Sequence, residues 1–356
     1  MEVSKDKKSE AGVIVAELPR KQSKYFQYTY TKPADYTESN TRINDTLSAD
    51  SVNKVVFKTS DGSAIYNTKD NSSVNITADF IGNSASLSSM ISNRGFIGNI
   101  SGNFMGNFGQ AIYNSSNGTA IIGDITGDFI GNYASGKGGA IFNNLGTIGN
   151  ITGNFIGNYV FNANAIGGAI YNSGIIGDIT GDFIGNYSSD SVGGAIFNDY
   201  DSSIGNIIGD FIGNHSKAYG GAINNSGRTA IGNITGDFIG NYASSSNYSD
   251  YVYGGAIYNG SKDTAIIGDI TGDFIGNYAS VSAVNGIAKG GAIYNSSNGT
   301  AIIGDITGNF LSNYVQYLSK YSKLTLGGAV YSNANLSFTA KGKQRFFSGN
   351  YTNDQT

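Results

Sequence analysis

The sequence predicts an all-β protein, specifically a single-stranded parallel β-helix (β-solenoid) of about ten turns. Three observations support this class: a short motif recurs along most of the chain, side-chain character alternates within each copy, and glycine contributes 52 of 356 residues. Charged residues make up 13%, about half of the usual share, which is not typical of a globular enzyme. An apolar fraction of 39% is sufficient for a core and excludes a disordered chain.

The repeated unit reads G-G-A-I-(Y/F)-N followed by I-G-(D/N)-I-T-G-(D/N)-F-I-G-N-Y, with a loop after each half. Successive copies begin 21 to 37 residues apart, a length that suits one turn of a solenoid. Two degenerate copies precede eight clearer ones. The copies begin at Gly62, Ser88, Gly109, Gly138, Gly167, Gly193, Gly220, Gly254, Gly290 and Gly327.

Alternation within residues 121–133 predicts strand and indicates which side chains face inward. Ile121, Ile125 and the other odd-numbered positions are apolar or tiny, whereas the positions between them are mostly polar. The odd-numbered set is therefore expected to lie inside. Four glycines in residues 118–133 disfavour a helix, because each would cost about 1 kcal/mol relative to alanine.

Stacking of equivalent turns about 4.8 Å apart would place each side chain on its own copy above and below. The Phe-x-x-Asn motifs are therefore predicted to form an interior aromatic ladder and an amide ladder in which each side chain donates to the next. The aromatic ladder comprises Phe104, Phe129, Phe155, Phe183, Phe211, Phe238, Phe274 and Phe310. The amide ladder comprises Asn107, Asn132, Asn158, Asn186, Asn214, Asn241, Asn277 and Asn313.

The chain is predicted to have three parts. Residues 1–61 lack the repeat; their first ten residues are expected to be disordered, and a stretch such as 50–60 is expected to cap the first turn. Residues 62–351 form the solenoid, and residues 352–356 are a tail. Basic residues gather towards both ends, where charge is expected to protect terminal strands from edge-to-edge pairing.

The alternating motifs resemble the paired short motifs of the polymorphic outer-membrane proteins. Gly-Gly-Ala-Ile is intact at 138–141, 167–170, 193–196, 220–223, 254–257 and 290–293. More broadly, the chain is similar to the passenger domains of autotransporter adhesins. The resemblance implies a right-handed parallel β-helix that a C-terminal membrane barrel delivers to a bacterial surface. Because no run of barrel strands follows residue 351, the chain is expected to be a fragment.

The resemblance implies a non-enzymatic adhesin passenger, surface-exposed or secreted, that binds a host or bacterial surface protein or glycan. A structural stalk that projects another domain is the second hypothesis, and a carbohydrate-active β-helix enzyme is the third. Residues 88–314 contain fourteen Asp against six Lys and Arg, which argues against nucleic acid as a partner. The chain contains no apolar run long enough for a membrane-spanning helix, and we expect a monomer without a cofactor.

Few residues are candidates for catalysis or metal binding. The single histidine, His215, stands where other copies have tyrosine, so it is predicted to replace a ladder aromatic. The Asp and Asn pairs, such as Asp124 with Asp128, recur with the repeat and are predicted to form a hydrated ladder, with calcium binding as the alternative. One histidine and no cysteine leave no predicted catalytic residue and no predicted metal site.

The loops that follow the repeat tyrosine are longest in the last three turns, at 243–253, 279–289 and 315–326. Stacking would place these loops side by side, and such insertions commonly form the binding face of a solenoid. Tyrosine offers a large contact area at low entropic cost. The predicted ligand-binding residues are Tyr248, Tyr251, Tyr253, Tyr317 and Tyr321. Alternatively, the loops only cover the corner or pack on one another.

Overall fold

A computed structural model describes residues 3–4, 11–16, 26–44, 47–48, 52–59, 62–68, 74–115, 119–190, 192–246, 251–282, 285–296, 299–317, 324–338 and 347–353. The regular structure in these residues consists of short β-strands. Three long sheets each collect strands from successive turns, and every pairing between their strands is parallel. The predicted fold class is therefore confirmed, and the chain is a parallel β-solenoid.

The Phe sheet contains the strands of the Phe-x-x-Asn motif and the Ile-Thr strands that precede them. Equivalent residues pair in register, so that Phe104 lies opposite Phe129, which lies opposite Phe155. Its strands are Thr37–Ser39, Asn53–Phe57, Ile76–Ile81, Ile100–Ser101, Phe104–Met105, Ile125–Thr126, Phe129–Ile130, Ile151–Thr152, Phe155–Ile156, Ile179–Thr180, Phe183–Ile184, Ile207–Ile208, Phe211–Ile212, Ile234–Thr235, Phe238–Ile239, Ile270–Thr271, Phe274–Ile275, Asp305–Thr307, Phe310–Leu311, Ser337–Phe338 and Phe347–Ser348.

The Tyr sheet contains the strands that begin at the repeat tyrosine and those of the Ala-Ile-Tyr-Asn segment. Ile141 lies opposite Ile170, which lies opposite Ile196. Its strands are Ile43–Asn44, Ile65–Asn67, Ser84–Asn93, Phe108–Ser115, Tyr133–Lys137, Ile141–Asn144, Tyr159–Ile166, Ile170–Asn172, Tyr187–Ser188, Ile196–Asp199, His215–Ser216, Ile223–Ser226, Tyr242–Ser245, Ile257–Asn259, Tyr278–Val281, Ile293–Asn295, Tyr314–Tyr317, Val330–Ser332 and Tyr351–Asn353.

From Phe96 to Ile303, the third long sheet, the Ile sheet, supplies the strand that lies between the Tyr-sheet and Phe-sheet strands of each turn. Its strands are Phe96–Ile97, Ile121–Ile122, Thr147–Ile148, Ile175–Ile176, Ser202–Ile204, Thr229–Ile231, Thr264–Ile267 and Thr300–Ile303. A small parallel sheet, the lobe sheet, consists of Tyr251–Tyr253, Ile287–Lys289 and Leu324–Leu326. A separate antiparallel sheet near the N-terminus consists of Val3–Ser4, Ala11–Ala16 and Phe26–Thr31.

The parallel stack begins upstream of residue 62, where the sequence places the first repeat. Thr37–Ser39 pairs with Asn53–Phe57, which in turn pairs with Ile76–Ile81. Phe57 is fully buried, and its ring stacks on that of Phe80 with centroids 5.1 Å apart. The residues before the first motif thus contribute to the same core although they lack the motif.

The interior phenylalanine ladder is confirmed. From Phe80 to Phe310 the ring centroids of neighbouring members lie 4.6 to 4.9 Å apart with interplanar angles of at most 2°. All of these rings are fully buried. Burial of a phenylalanine side chain contributes about 1.5–3 kcal/mol, and ring pairing adds about 0.5–1.5 kcal/mol, so this column is a major source of stability.

The predicted amide ladder is confirmed as well. Asn132 Nδ2 donates to Oδ1 of Asn158 at 3.0 Å and to the carbonyl oxygen of Phe104 at 2.8 Å, and the same pattern repeats along the column. The structure also contains a second buried amide ladder, which the sequence interpretation missed. It consists of the asparagines of the Ala-Ile-Tyr-Asn segments, Asn67, Asn93, Asn114, Asn143, Asn172, Asn198, Asn225, Asn259 and Asn295.

The predicted alternation over residues 121–133 is wrong at both ends. Ile121 is 40% exposed whereas Ile122 is 1% exposed, and Asn132 is buried whereas Tyr133 is only half-buried. The first three strands in this stretch are two residues long, and the chain bends after each of them at a Gly-Asp or Gly-Asn pair. Each bend resets the phase of the alternation, so a single period of two does not describe the whole stretch.

We expect the substitution Phe183→Ala to lower the free energy of unfolding by about 3–5 kcal/mol, because it removes a fully buried ring from the column. The matched control is Ile121→Thr, which introduces the residue that Thr147 provides one turn later and should change stability by less than about 0.5 kcal/mol. Urea unfolding followed by circular dichroism measures both. Similar losses in the two variants would contradict a core carried by the phenylalanine column.

Candidate functional site

The long loops of the last three turns form a lobe beside the main solenoid. Its outgoing strands, Tyr242–Ser245, Tyr278–Val281 and Tyr314–Tyr317, pair in parallel. The returning strands form the lobe sheet, in which Tyr251 lies opposite Ile287. The predicted side-by-side placement of these loops is therefore confirmed for the described strands.

The lobe has a small apolar core of its own, separate from that of the solenoid. Among the described residues, seven side chains from all three loops contribute to it, and each is fully buried. They are Ala243, Val252, Ala279, Val281, Ala288, Val315 and Tyr317. The inner faces of the loops thus pack on one another, which makes the lobe an ordered scaffold rather than a set of independent loops.

The structure separates the five predicted contact tyrosines. Tyr317 is 0% exposed, so its ring packs inside the lobe and presents no surface to a ligand. Tyr251 is 50% exposed, and its ring centroid lies 6.1 Å from that of the half-buried Tyr253. Tyr248 and Tyr321 lie outside the described residues. Tyr251 and Tyr253 are therefore the described members that reach the surface together.

Stacked tyrosine rings, which we call the tyrosine zipper, join the base of the lobe to the solenoid. Tyr219 stacks on Tyr258 with ring centroids 5.0 Å apart, and Tyr253 stacks on Tyr294 at 4.5 Å. Burial raises the pKa of Tyr258, with a further contribution from neighbouring Tyr294, so the phenol stays protonated. The sequence signal for this contact is a tyrosine directly before Gly-Gly in one copy, followed in the next copy by the tyrosine of the Ala-Ile-Tyr segment.

In the next copy the residue directly before Gly-Gly is Lys289 instead of a tyrosine, and this lysine continues the zipper. Lys289 lies opposite Tyr253 on the neighbouring strand of the lobe sheet. Its Nζ lies 4.4 Å from the ring centroid of Tyr331 and 5.8 Å from that of Tyr253, and it donates to the Tyr331 hydroxyl at 3.3 Å. Such a cation over aromatic rings contributes about 0.5–1 kcal/mol at a partly exposed position. The basic group therefore supports the lobe and gives its base a positive charge.

The prediction for His215 is confirmed, since the imidazole stacks between the rings of Tyr187 and Tyr242. The centroid distances are 4.8 and 3.9 Å. The residue as a whole is half-buried, but both ring nitrogens are buried and have no hydrogen-bond partner among the described residues. Desolvation lowers the pKa of His215 to about 3, so the ring is neutral at ordinary pH.

The outward Asp and Asn columns bind the backbone of the following turn. Oδ1 of Asp182 accepts the N–H of Asp210 at 2.8 Å, and Oδ1 of Asp210 accepts the N–H of Asp237 at 2.7 Å. The same bond runs along the column that contains Asp124. These carboxylates therefore contribute to turn stacking, which the sequence pattern did not reveal. Their description as a hydrated ladder stays a prediction.

The described residues offer little for metal binding. No group of three or more His, Cys, Asp or Glu side chains in the part of the chain that the structure describes is placed to hold a metal ion.

No helix within the described residues is long and apolar enough to cross a membrane.

We expect acid to destabilise the wild type more than the variant His215→Tyr. Because the folded-state pKa of His215 is about 3 and the unfolded value is about 6.5, the unfolded chain binds more protons between these pH values. The wild type should therefore lose up to about 1.4 kcal/mol per pH unit, relative to the variant, as the pH falls through this window. Urea unfolding of both proteins from pH 7 to pH 4 tests this, and parallel stability curves would contradict it.

Comparison of the chain with protein-family models, with curated proteins and with solved structures finds no match in any of the three.

Proposed function

We propose that this chain is a non-enzymatic passenger fragment of a bacterial autotransporter adhesin, displayed at the cell surface or secreted. In this proposal the solenoid acts as an elongated scaffold, and the lobe binds a host or cell-surface ligand. The observation that carries the proposal is the lobe itself, an ordered lateral structure with its own sheet and core that the stacking of turns does not require.

Short connections elsewhere in the chain support this interpretation. Only four residues, 216–219, separate His215 from the next Gly-Gly, whereas the lobe loops contain eleven or twelve residues. The short connection runs between His215–Ser216 and Ile223–Ser226. These strands are equivalent to the two Tyr-sheet strands that each long loop connects in its own turn. The extra residues therefore serve something other than closure of the turn, and a binding surface is the usual use of such insertions.

The composition of the lobe surface also suits recognition. Tyr251 exposes half of its side chain beside Tyr253, and the positive group of Lys289 lies at the base of the same sheet. Amphipathic rings beside a cation can contact protein surfaces as well as sugars. The proposed ligand class is therefore a surface protein or glycan, as the resemblance to adhesin passengers implies.

A structural stalk remains the second proposal, since the regular ladders alone would suffice for a spacer. The lobe favours the adhesin over the stalk, because a spacer has no use for a lateral structure. A carbohydrate-active enzyme is less favoured. The carboxylates of the outward columns each accept a backbone N–H of the next turn, which suits a structural role better than proton transfer.

We expect the lobe to be dispensable for folding but required for binding. In the test variant, 243–253, 279–289 and 315–326 are each replaced by Ala-Ser-Gly-Lys, the connection found at 134–137. Binding to cultured epithelial cells, immobilised matrix glycoproteins and a glycan array should fall at least tenfold, while the β-type circular dichroism spectrum is retained.

The matched control replaces the seven-residue connection 160–166 of an earlier turn by the same four residues. This control should bind as the wild type does. Undiminished binding by the triple variant would remove the lobe from the proposal, and equal loss in the control would show that the effect is not specific to the lobe.

A further inference from the structure

A column of apolar side chains runs along the outside of the Phe sheet. Each member directly follows the phenylalanine of its turn, and the register places it opposite its equivalent in the next turn. Because the phenylalanine points into the core, alternation along the strand turns the following residue outward. The column comprises Ile81, Met105, Ile130, Ile156, Ile184, Ile212, Ile239, Ile275 and Leu311.

The exposure of this outer column changes along the molecule. In three early turns the side chains are buried, with Met105 6%, Ile130 2% and Ile156 5% exposed. In five later turns the equivalent side chains are only half-buried. These five, which we call the outer stripe, are Ile184, Ile212, Ile239, Ile275 and Leu311. The repeat is the same in both regions, so the difference comes from what covers the column.

A tyrosine from the N-terminal region contributes to the cover of the early turns. Tyr30 lies in the strand Phe26–Thr31 and belongs to one apolar cluster with the three buried members of the column. It is 8% exposed, and its hydroxyl donates to Oδ2 of Asp79 at 2.8 Å. Burial, with a further contribution from the bond to Asp79, raises the pKa of Tyr30, so the phenol keeps its proton. A tyrosine thus combines apolar packing with a bond to a carboxylate at this place.

The carboxylate that Tyr30 contacts belongs to a second outward column. In each turn an Asp or Asn lies two residues before the member of the apolar column and faces the same way. Oδ1 of Asp79 accepts the backbone N–H of Asn103 at 2.7 Å, which leaves Oδ2 for the phenol. Beside the outer stripe, four consecutive turns carry aspartate at this place, and each likewise uses Oδ1 for the N–H of the next turn. They are Asp182, Asp210, Asp237 and Asp273.

These four carboxylates each keep a second oxygen without a partner. In the part of the chain that the structure describes, their Oδ2 atoms accept no hydrogen bond, and no Lys or Arg forms an ion pair with them. Like charges about 5 Å apart on neighbouring strands destabilise one another. A donor or a cation from outside would relieve this repulsion. The outer stripe therefore offers the two features that Tyr30 bridges in the early turns.

The shape of the outer stripe limits the kind of partner. Five side chains in single file, one for each turn spacing of about 4.8 Å, form a line about 19 Å long. A stable dimer buries about 800 Å² from each partner, which such a line of half-buried side chains does not supply. An extended polypeptide of about six residues has the matching length and is equally narrow.

We propose that the outer stripe binds an extended segment of a partner protein that carries tyrosine and at least one lysine or arginine. The tyrosine ring packs on the stripe, and its hydroxyl donates to Oδ2 of Asp210 or Asp237, as Tyr30 does at Asp79. The basic side chain offsets the charge of the remaining carboxylates. The stripe lies on the Phe sheet whereas the lobe extends from the Tyr sheet, so this site is independent of the function proposed for the lobe.

A peptide with the sequence of residues 24–33, Lys-Tyr-Phe-Gln-Tyr-Thr-Tyr-Thr-Lys-Pro, has this chemistry and serves as the probe. The peptide, blocked at both ends and labelled with fluorescein, should bind the whole chain in an anisotropy titration. A control peptide with phenylalanine in place of every tyrosine keeps the rings and the charge but lacks the hydroxyls, and it should bind at least tenfold more weakly. Absence of binding by the probe, or equal affinity of the two peptides, would overturn the proposal.

Charge variants of the protein locate the site. Asp210→Asn combined with Asp237→Asn should weaken probe binding at least tenfold and leave the melting temperature unchanged. Asparagine already occupies this place at Asn154, where its Oδ1 accepts the backbone N–H of the next turn at 2.9 Å. The matched control, Asp178→Asn combined with Asp269→Asn, removes the same charge from the other outward column and should bind as the wild type does. Equal weakening in both double variants would reduce the effect to general charge attraction and overturn the proposal.

A further variant tests the apolar half of the site. Ile212→Thr combined with Ile239→Thr keeps β-branched side chains but removes apolar surface, and it should also weaken probe binding at least tenfold while the β-type circular dichroism spectrum is retained. Unchanged affinity would overturn the proposal. Sedimentation equilibrium of the wild type should show a monomer. A dimer that these two substitutions dissociate would assign the stripe to a second copy of the chain and would likewise overturn the proposal.

Discussion

Stacking of each residue on its own equivalent in the next turn is the constraint on which the rest of this structure depends. In the described part of the solenoid, backbone N–H groups donate to carbonyl oxygens one turn away, at about the same distance in each turn. Each stacked side chain must therefore pack well against the same or a similar side chain in the next turn. Phenylalanine rings meet this condition by parallel stacking, and asparagine meets it because one amide both donates and accepts. The low variety of the sequence follows from this condition.

Polar side chains contribute to the stack as much as apolar ones do. The two buried amide ladders bond side chain to side chain and also reach backbone carbonyls, as Asn143 does with Gly146 at 3.0 Å. On the outside, Asp and Asn oxygens accept backbone N–H groups of the following turn. Glycine is required at bends such as Gly127, where a Cβ atom would clash with the carbonyl oxygen of Gly102. The interior is thus stabilised by repeated hydrogen bonds at sites that would otherwise hold unsatisfied polar groups.

The lobe, to which the proposed function is assigned, is a departure from this regularity. The lobe is built from insertions, yet the insertions obey the same rule, since their strands pair in register and bury a common core. The solenoid holds the lobe on turns whose positions are set by the ladders. A rigid periodic scaffold can therefore carry non-periodic surface groups without loss of order.

The sequence by itself determined which residues stack on one another, because a repeat identifies its equivalent positions. The solenoid class, the phenylalanine column, the first amide column and the place of His215 among tyrosines all follow from that identity. Only the tertiary structure decided which way side chains point, since bends after two-residue strands reset the alternation and put Ile122 rather than Ile121 inside. It likewise decided that Tyr317 is buried while Tyr251 is exposed, because burial depends on which loop packs above the residue. The exposure and left-handed backbone of Leu145 and Tyr200 depend on the path of the connection between the Tyr sheet and the Ile sheet, which varies in length and which no repeat motif encodes.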